Sequence, residues 1–202
     1  KTNGAWFQSQ ELLVDNSCGG RSTNACQYFG SEIDAYNEWL AVGAPLWDSD
    51  CLSNIGPDGS VFIYKRVGET YVIHQQLYDP NFLSAQRFGE SVSIHGEWLF
   101  IGSPNKTFTV NGTTYSSSGL VFIYRYNAVT DRWESFQTIS ASDKVASGMF
   151  GPYEDFGLEV EVNGTKAMVS DPIKSVNGTN YRGTVYFLTF NGASWAETQK
   201  LT

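Results

Sequence analysis

Side chains able to take part in acid–base or nucleophilic chemistry are few in this sequence and lie far apart. Its 202 residues include two histidines and three cysteines. His74 falls in a predicted outer strand and His95 beside a tight turn in a different part of the chain, so we do not expect them to share a site. No nucleophile elbow, phosphate-binding loop or zinc-type Cys/His spacing is present. We therefore predict no catalytic residues and a protein that is not an enzyme.

Carboxylates are the other side chains that could hold a ligand. Asp48, Asp50 and Asp58 share one predicted loop and are the nearest approach to a calcium site, the alternative being a solvated acidic loop. Glu159 and Glu161 alternate along a predicted strand, where they either face a bound ligand or line a solvated channel. Apart from calcium at the three aspartates, we expect no metal and no cofactor.

The elements that must position these side chains are short runs rich in Val, Ile and aromatic residues, which recur in the same order. We label them strands a to d. Strand a is expected to begin at a Phe-Gly pair, strand b to end before a proline, and strand c to follow a glycine. The Phe-Gly pairs are at 29–30, 88–89 and 156–157, and the predicted strands d cover residues 6–13, 71–77, 133–139 and 195–201.

This repeat predicts an all-β fold of β-propeller blades, with three four-stranded antiparallel repeats preceded by one strand. Residues 1–14 would form the outer strand of a preceding blade. Residues 15–78, 79–140 and 141–202 would form blades 1, 2 and 3 of one contiguous repeat domain.

The long connections of the predicted blades run from strand b to strand c and from strand d to strand a. In an antiparallel blade these two sets of loops emerge at the same end, which is where we expect binding. Aromatic side chains in these loops suit contact with a protein or a glycan, although packing of the loops on each other is the alternative. The residues concerned are Trp47, Phe108, Tyr115, Tyr153 and Tyr181.

The repeated motifs resemble those of a known family. Phe-Gly before strand a, Val-Gly-Ala-Pro at 42–45 and Gly-x-Val-x-x-Tyr at 59–64 are similar to the FG-GAP repeat, the blade of integrin α-chain-type β-propellers. The resemblance implies an extracellular propeller that serves as a scaffold. Propellers of that family have more than three blades, so we expect the chain to be part of a larger propeller or assembly. The a–b turns are too short for the calcium loop of the family, so that site is not carried over.

The cysteines and glycosylation sequons favour a secreted or cell-surface glycoprotein. Cys18 and Cys26 flank a Gly-rich loop that we expect to close as a disulfide, while the pairing of Cys51 is left open. Asn-x-Thr sequons occur at Asn105, Asn111, Asn163 and Asn177, all in predicted loops or turns.

With a formal net charge of −8 and no basic cluster, the chain is not expected to bind nucleic acid. No run approaches the ~20 apolar residues of a membrane span, so no membrane insertion is expected.

Together these features predict a non-enzymatic extracellular module for adhesion or for protein or glycan binding, with contacts through the long loops. One alternative is a structural subunit of a surface filament or coat, in which blade edges join further copies of the chain. Another is an accessory propeller domain of a secreted hydrolase. The remaining part of a longer chain is a further expected neighbour of these blades.

Overall fold

The computed structural model describes residues 8–13, 26–47, 59–79, 81, 86–146, 154–176, 179 and 181–202. These residues contain β-strands and no helix, which confirms the all-β class. In chain order the strands are β1 Cys26–Gln27, β2 Ile33–Tyr36, β3 Trp39–Ala44, β4 Leu46–Trp47, β5 Ser60–Val67, β6 Thr70–Leu77, β7 Val92–His95, β8 Trp98–Ser103, β9 Phe108–Val110, β10 Thr113–Tyr115, β11 Leu120–Asn127, β12 Arg132–Ile139, β13 Val160–Asn163, β14 Lys166–Asp171, β15 Thr184–Phe190 and β16 Trp195–Leu201.

Twelve of these strands form three four-stranded antiparallel sheets. Sheet 1 has the strand order β2-β3-β5-β6, sheet 2 the order β7-β8-β11-β12, and sheet 3 the order β13-β14-β15-β16. Each sheet is a simple meander in which strands a to d pair with their neighbours in sequence. The pairing of strands c and d is interrupted at the same place each time, at Ile63/Tyr64, Ile123/Tyr124 and Phe187/Leu188. The remaining strands form two short pairs, β1 with β4 and β9 with β10.

The prediction that each Phe-Gly pair begins strand a is wrong. The pairs form a turn before that strand. β2, β7 and β13 each start four residues after the phenylalanine of the pair. The glycines Gly30, Gly89 and Gly157 have φ angles of +84°, +88° and +92°. Glycine adopts this left-handed conformation without steric strain, and it is incompatible with an extended strand. The backbone therefore turns at the glycine, and strand a begins after it.

The predicted leading strand is also not formed over residues 8–13. In sheets 1 to 3 the outer strand pairs with the strand before it, whereas the described residues include no strand beside this segment. A side chain holds it instead. The Gln10 amide donates to the Tyr71 carbonyl at 2.7 Å and accepts from the Tyr71 N–H at 2.8 Å. Leu12 packs against the apolar outer face of sheet 1.

The three sheets pack face to face in sequence order. One apolar cluster joins Val61 and Ile63 of sheet 1 to Leu99 and Ile101 of sheet 2. A second cluster joins Phe100 and Ile123 of sheet 2 to side chains of sheet 3, including Val169, Tyr186 and Leu188. Strands b and c of sheet 2 are consequently buried on both faces. This explains why their sequences are continuously apolar and do not alternate.

The Phe-Gly turn of one repeat lies directly against the preceding sheet. A Cβ atom added to Gly102 in sheet 2 would lie 2.0 Å from the Gly157 carbonyl oxygen, and one added to Gly43 in sheet 1 would lie 2.2 Å from the Gly89 carbonyl oxygen. No side chain fits at such distances. In sheets 1 and 2, the penultimate residue of strand b is a glycine that contacts the Phe-Gly pair of the next repeat. This contact between sheets is a physical reason for both motifs to recur together.

Candidate functional site

Both sets of long loops lie at one end of the sheets, which we call the loop end. Lys106, in the b–c loop of sheet 2, forms an ion pair with Asp79 of the preceding d–a loop and donates to the Asn81 carbonyl at 3.2 Å. Lys174, in the b–c loop of sheet 3, pairs with Glu154 and donates to the Asp143 carbonyl at 2.8 Å. One lysine thus joins the two loops in each of these repeats.

These ion pairs are almost completely buried. The side chains of Lys106 and Asp79 are 5% and 3% exposed, and those of Lys174 and Glu154 are 3% and 2% exposed. Each lysine also accepts, through its carbonyl oxygen, a 3.2 Å hydrogen bond from the glycine before strand c, Gly119 or Gly183. A buried charge without its partner is costly, so the pairs hold the loops in one arrangement. We did not foresee them, although a lysine two residues after the strand-b proline in both repeats was a usable signal.

Trp47 occupies the position of these lysines in the first repeat. Its carbonyl oxygen accepts a 3.0 Å hydrogen bond from the N–H of Gly59, the glycine before strand c of sheet 1. Its ring packs edge-on against Phe62, with 4.9 Å between ring centroids. The side chain is half-buried, so much of this aromatic surface already serves packing of the loop.

Phe108 and Tyr115 face each other on a small hairpin formed by β9 and β10 in the b–c loop of sheet 2. Their rings are stacked with centroids 5.3 Å apart, and the Lys144 ammonium lies 5.4 Å from the Tyr115 ring. Asn111 and Gly112 form the turn, both with positive φ angles. Asn-Gly between two β-type runs is the sequence signal for such a turn, although the prediction for this segment is only a loop. The hairpin presents two partly exposed rings beside a cation.

Tyr181 is the most exposed of the predicted contact residues that the structure describes. Its side chain lies in the b–c loop of sheet 3 and is 75% exposed. The backbone there has a φ angle of +59°, which a bulky residue rarely adopts.

The other predicted ligand-binding residues lie outside the described residues, namely Tyr153 and the candidate calcium ligands Asp48, Asp50 and Asp58. Within the described part, no group of three or more His, Cys, Asp or Glu side chains is arranged to hold a metal ion.

The predicted modification sites are distributed over both ends of the molecule. Asn111 is exposed at the tip of the hairpin, Asn105 is half-buried in the same loop, and Asn163 is exposed at the a–b turn of sheet 3, away from the loop end. Asn177, Cys18, Cys51 and the side chain of Cys26 lie outside the described residues. The Cys18–Cys26 disulfide and the glycans therefore stay predictions.

The two histidines lie in different contacts between sheets. His74 of sheet 1 is hydrogen-bonded through Nε2 to the Asp131 carbonyl of sheet 2 at 2.8 Å. His95 of sheet 2 accepts at Nδ1 from the Gly164 N–H of sheet 3 at 3.1 Å. The structure does not bring them together, so they do not form a shared acid–base site.

The first strands gather carboxylates from all three sheets. Glu161 is exposed on β13, and Glu159 is exposed immediately before that strand. Burial raises the pKa of Glu32, and the nearby charge of Glu159 raises it further. Burial also raises the pKa of Glu90, with Arg87 opposing the shift and Glu159 adding to it. Glu159 is thus close enough to influence one carboxylate in each of the other two sheets, and the common channel stays a prediction.

Asp171 is a buried carboxylate beneath the loop end. It ends strand b of sheet 3, where the other two repeats have Ala44 and Ser103. Its Oδ1 accepts from the Asp155 N–H at 3.0 Å, while Oδ2 is buried without a hydrogen-bond partner among the described residues. Burial raises its pKa to about 6. This residue is therefore a poorly solvated charge at neutral pH.

No protein-family model matches this chain, and no curated protein matches it. Among the described residues there is no helix that is long and apolar enough to cross a lipid bilayer.

Proposed function

We propose that this protein is a non-enzymatic extracellular binding module built from β-propeller-type blades, and that the loop end is its contact surface. This proposal rests on two buried ion pairs, Lys106–Asp79 and Lys174–Glu154, which hold the b–c and d–a loops together at one end of the sheets. Rigid loops bind with a smaller entropic cost than mobile ones, so such fixation suits recognition.

The blade architecture is supported by the way the sheets repeat and pack. Each is a four-stranded meander with the same interruption between its outer strands, and each packs face to face on the next. The resemblance to FG-GAP repeats adds to this. In such an array the first strands would surround an axis, which agrees with the gathering of carboxylates around Glu159.

The chemistry of the loop end favours a protein or glycan partner. Tyr181 is exposed, and the Phe108–Tyr115 hairpin places two rings next to Lys144. Aromatic rings bury large apolar surfaces at a small entropic cost, and they stack on the apolar faces of sugars or on partner side chains. The exposed sequons at Asn111 and Asn163 support a location outside the cell, where N-glycans are carried.

Binding to arrays of immobilised glycans and extracellular matrix proteins tests this function. We expect saturable binding to at least one class of ligand, retained by protein that lacks N-glycans. Absence of binding to every glycan and matrix protein on the arrays, by protein that is folded as judged by cooperative unfolding, would contradict the proposal.

A structural role in a surface filament or coat is the second candidate. It is favoured by the outer face of sheet 3, which is exposed where the corresponding faces of sheets 1 and 2 are buried: Met168 is 42% exposed, whereas Ala41 and Phe100 are fully buried.

A further inference from the structure

In sheets 1 and 2, a glutamine of the outer strand bonds to the outer strand of the next sheet. Gln75 of sheet 1 donates to the Trp133 carbonyl at 2.9 Å and accepts from the Trp133 N–H at 3.0 Å. Gln137 of sheet 2 makes the same two bonds to Trp195 of sheet 3, at 2.8 and 2.9 Å. We call this two-bond arrangement the amide clamp. Gln10 makes a third amide clamp, on Tyr71.

Gln199 is the fourth glutamine of this series and has no clamp to make within the described residues. Gln75, Gln137 and Gln199 each lie four residues after the aromatic residue that opens the predicted strand d, and so does Gln10 with respect to Trp6. Gln199 is exposed on β16. Its amide has one donor and one acceptor side available for the backbone of an outer strand beyond those that the structure describes.

The first strands carry a second repeated contact that also ends at sheet 3. The Asp34 carboxylate of sheet 1 accepts from the Ile94 N–H of sheet 2 at 2.8 Å. At the same position in sheet 2, Ser93 Oγ accepts from the Val162 N–H of sheet 3 at 3.1 Å. Glu161 is the corresponding residue of sheet 3 and is exposed. Its carboxylate is available to accept a backbone N–H from a following first strand.

The apolar surface between Gln199 and Glu161 is also exposed, whereas the same surface of sheets 1 and 2 packs against the next sheet. Ala41 in sheet 1 and Phe100 in sheet 2 are fully buried against the next sheet, whereas the equivalent Met168 is 42% exposed. Phe187 on strand c is also partly exposed, although its equivalents Ile63 and Ile123 are fully buried. The outer face of sheet 3 thus repeats the glutamine, the first-strand acceptor and part of the apolar surface by which sheets 1 and 2 bind their neighbours, while Lys166 and Ser170 replace the tryptophan and the glycine of those sheets.

The complementary half of this contact is present on the outer face of sheet 1. Phe62 and Tyr64 there take the positions that Phe122 and Tyr124 occupy on the face of sheet 2 that packs on sheet 1. The Ala35 N–H is equivalent to those of Ile94 and Val162, and within the described residues it bonds only to the carboxylate of its neighbour Asp34, at 2.8 Å. The Tyr71 backbone is the target of the amide clamp on this face, and Gln10 occupies it.

We propose that the outer face of sheet 3 binds the outer face of sheet 1 of a second copy of this chain, head to tail. Gln199 replaces Gln10 in the clamp on Tyr71, and Glu161 accepts from the Ala35 N–H. Residues 8–13 then act as a cap that competes with the second copy for the same backbone groups. Because the two faces differ, this contact leads to rings or filaments of copies.

Sedimentation velocity over a range of protein concentrations tests this contact. The protein is produced without N-glycans, because Asn163 borders the same face. We expect weak self-association of the unmodified chain and stronger self-association of Gln10→Ala, which frees the Tyr71 backbone. Gln199→Ala should weaken association about tenfold, as expected for two neutral hydrogen bonds. Gln8→Ala, an exposed change in the same segment, is the matched control and should leave association unchanged.

Oxidation of Met168 by dilute peroxide, followed by mass spectrometry, shows which face is covered. We expect slower oxidation at protein concentrations at which the copies associate, and no such protection in Gln199→Ala. Both glutamine variants lie at exposed positions, and cooperative unfolding in urea verifies that they are folded. A chain that stays monomeric even as Gln10→Ala, or association that Gln199→Ala does not weaken, would overturn the proposal. Association without protection of Met168 would overturn it as well.

Discussion

Gln75 and Trp133 lie in the outer strands of two neighbouring sheets, and one side-chain amide satisfies both backbone polar groups of the tryptophan, at 2.9 and 3.0 Å. The clamp occupies backbone groups that strand d does not pair within its own sheet. Unpaired groups at a sheet edge are prone to pair with other chains. The amide clamp therefore couples adjacent sheets and covers part of an edge with the same two hydrogen bonds.

Removal of this clamp should lower stability in a graded way. Gln75→Ala should reduce the free energy of unfolding by about 1–3 kcal/mol, since two neutral hydrogen bonds are lost at a buried position. Gln75→Glu should also destabilise, because a carboxylate accepts from the Trp133 N–H but cannot donate to its carbonyl. Urea unfolding measures both, with Gln8→Ala as the surface control. A Gln75→Ala protein as stable as this control would mean that the clamp contributes nothing.

The buried pair Lys106–Asp79 should show strong coupling. Lys106→Met leaves the Asp79 carboxylate buried without its cation, and we expect a loss of about 3–5 kcal/mol. Lys106→Met combined with Asp79→Leu should recover much of that loss, because no buried charge is left. A double-mutant cycle from urea unfolding gives the coupling energy. Additive effects of the two changes would show that the pair does not hold the loops together.

The close contact between sheets at Gly102 should not accept a side chain. Gly102→Ala places a Cβ 2.0 Å from the Gly157 carbonyl oxygen, so we expect a loss of about 3 kcal/mol or more from forced separation of the sheets. Gly192→Ala is the control. Gly192 has a φ angle of +96°, and a Cβ atom added there would have no neighbouring atom within 4 Å. That change should cost only about 1 kcal/mol of backbone strain. Equal losses at the two positions would contradict close packing at Gly102.

The pH dependence of stability should reflect Asp171. Its pKa is raised by burial from 3.8 to about 6, so the folded chain holds this proton more tightly than the unfolded chain. The resulting stabilisation is present at pH 4 and is lost as the pH rises through 6, by up to about 3 kcal/mol. Asp171→Asn should remove this part of the slope.

Urea unfolding between pH 4.5 and 7.5 isolates the effect of Asp171 from that of Asp143. Burial opposes ionisation of Asp143, but hydrogen bonds from Lys200 and Tyr186 outweigh it and lower its pKa to about 2. The contribution of Asp143 is therefore constant in this range. If the free energy of unfolding depends on pH in the same way in Asp171→Asn and in the unmodified chain, ionisation of Asp171 does not destabilise the folded protein.

The sequence predicted strands b, c and d of each repeat because β-branched and aromatic runs between Gly and Pro are strong local signals. It did not predict that Phe29-Gly30 and its equivalents form a turn, since that depends on the close approach of the preceding sheet at glycines such as Gly43. The clamp of Gln10 on Tyr71 was also missed. The repeat has a glutamine at a fixed spacing, but only packing of the sheets brings the Gln10 amide to a backbone 61 residues away.

The sequence predicted where the loop end lies, but it did not predict the contacts within it. Antiparallel meanders place the long loops together, which requires no knowledge of side chains. By contrast, Lys106 and Lys174 act through partners in other loops, and no periodic pattern identifies such partners. The aromatic residues of those loops differ as well: Trp47 packs on Phe62, whereas Tyr181 is exposed.

Comparison of Tyr181→Ala with Val129→Ala tests most directly whether binding takes place at the loop end. Both side chains are highly exposed, at 75% and 95%, but Val129 lies in the c–d turn of sheet 2, at the opposite end of the sheets. Titration with a ligand found on the arrays measures the two dissociation constants. We expect Tyr181→Ala to weaken binding at least tenfold, Val129→Ala to leave it unchanged, and both proteins to unfold like the unmodified chain. Unchanged binding in Tyr181→Ala, or loss only in Val129→Ala, would contradict a binding surface formed by the loops.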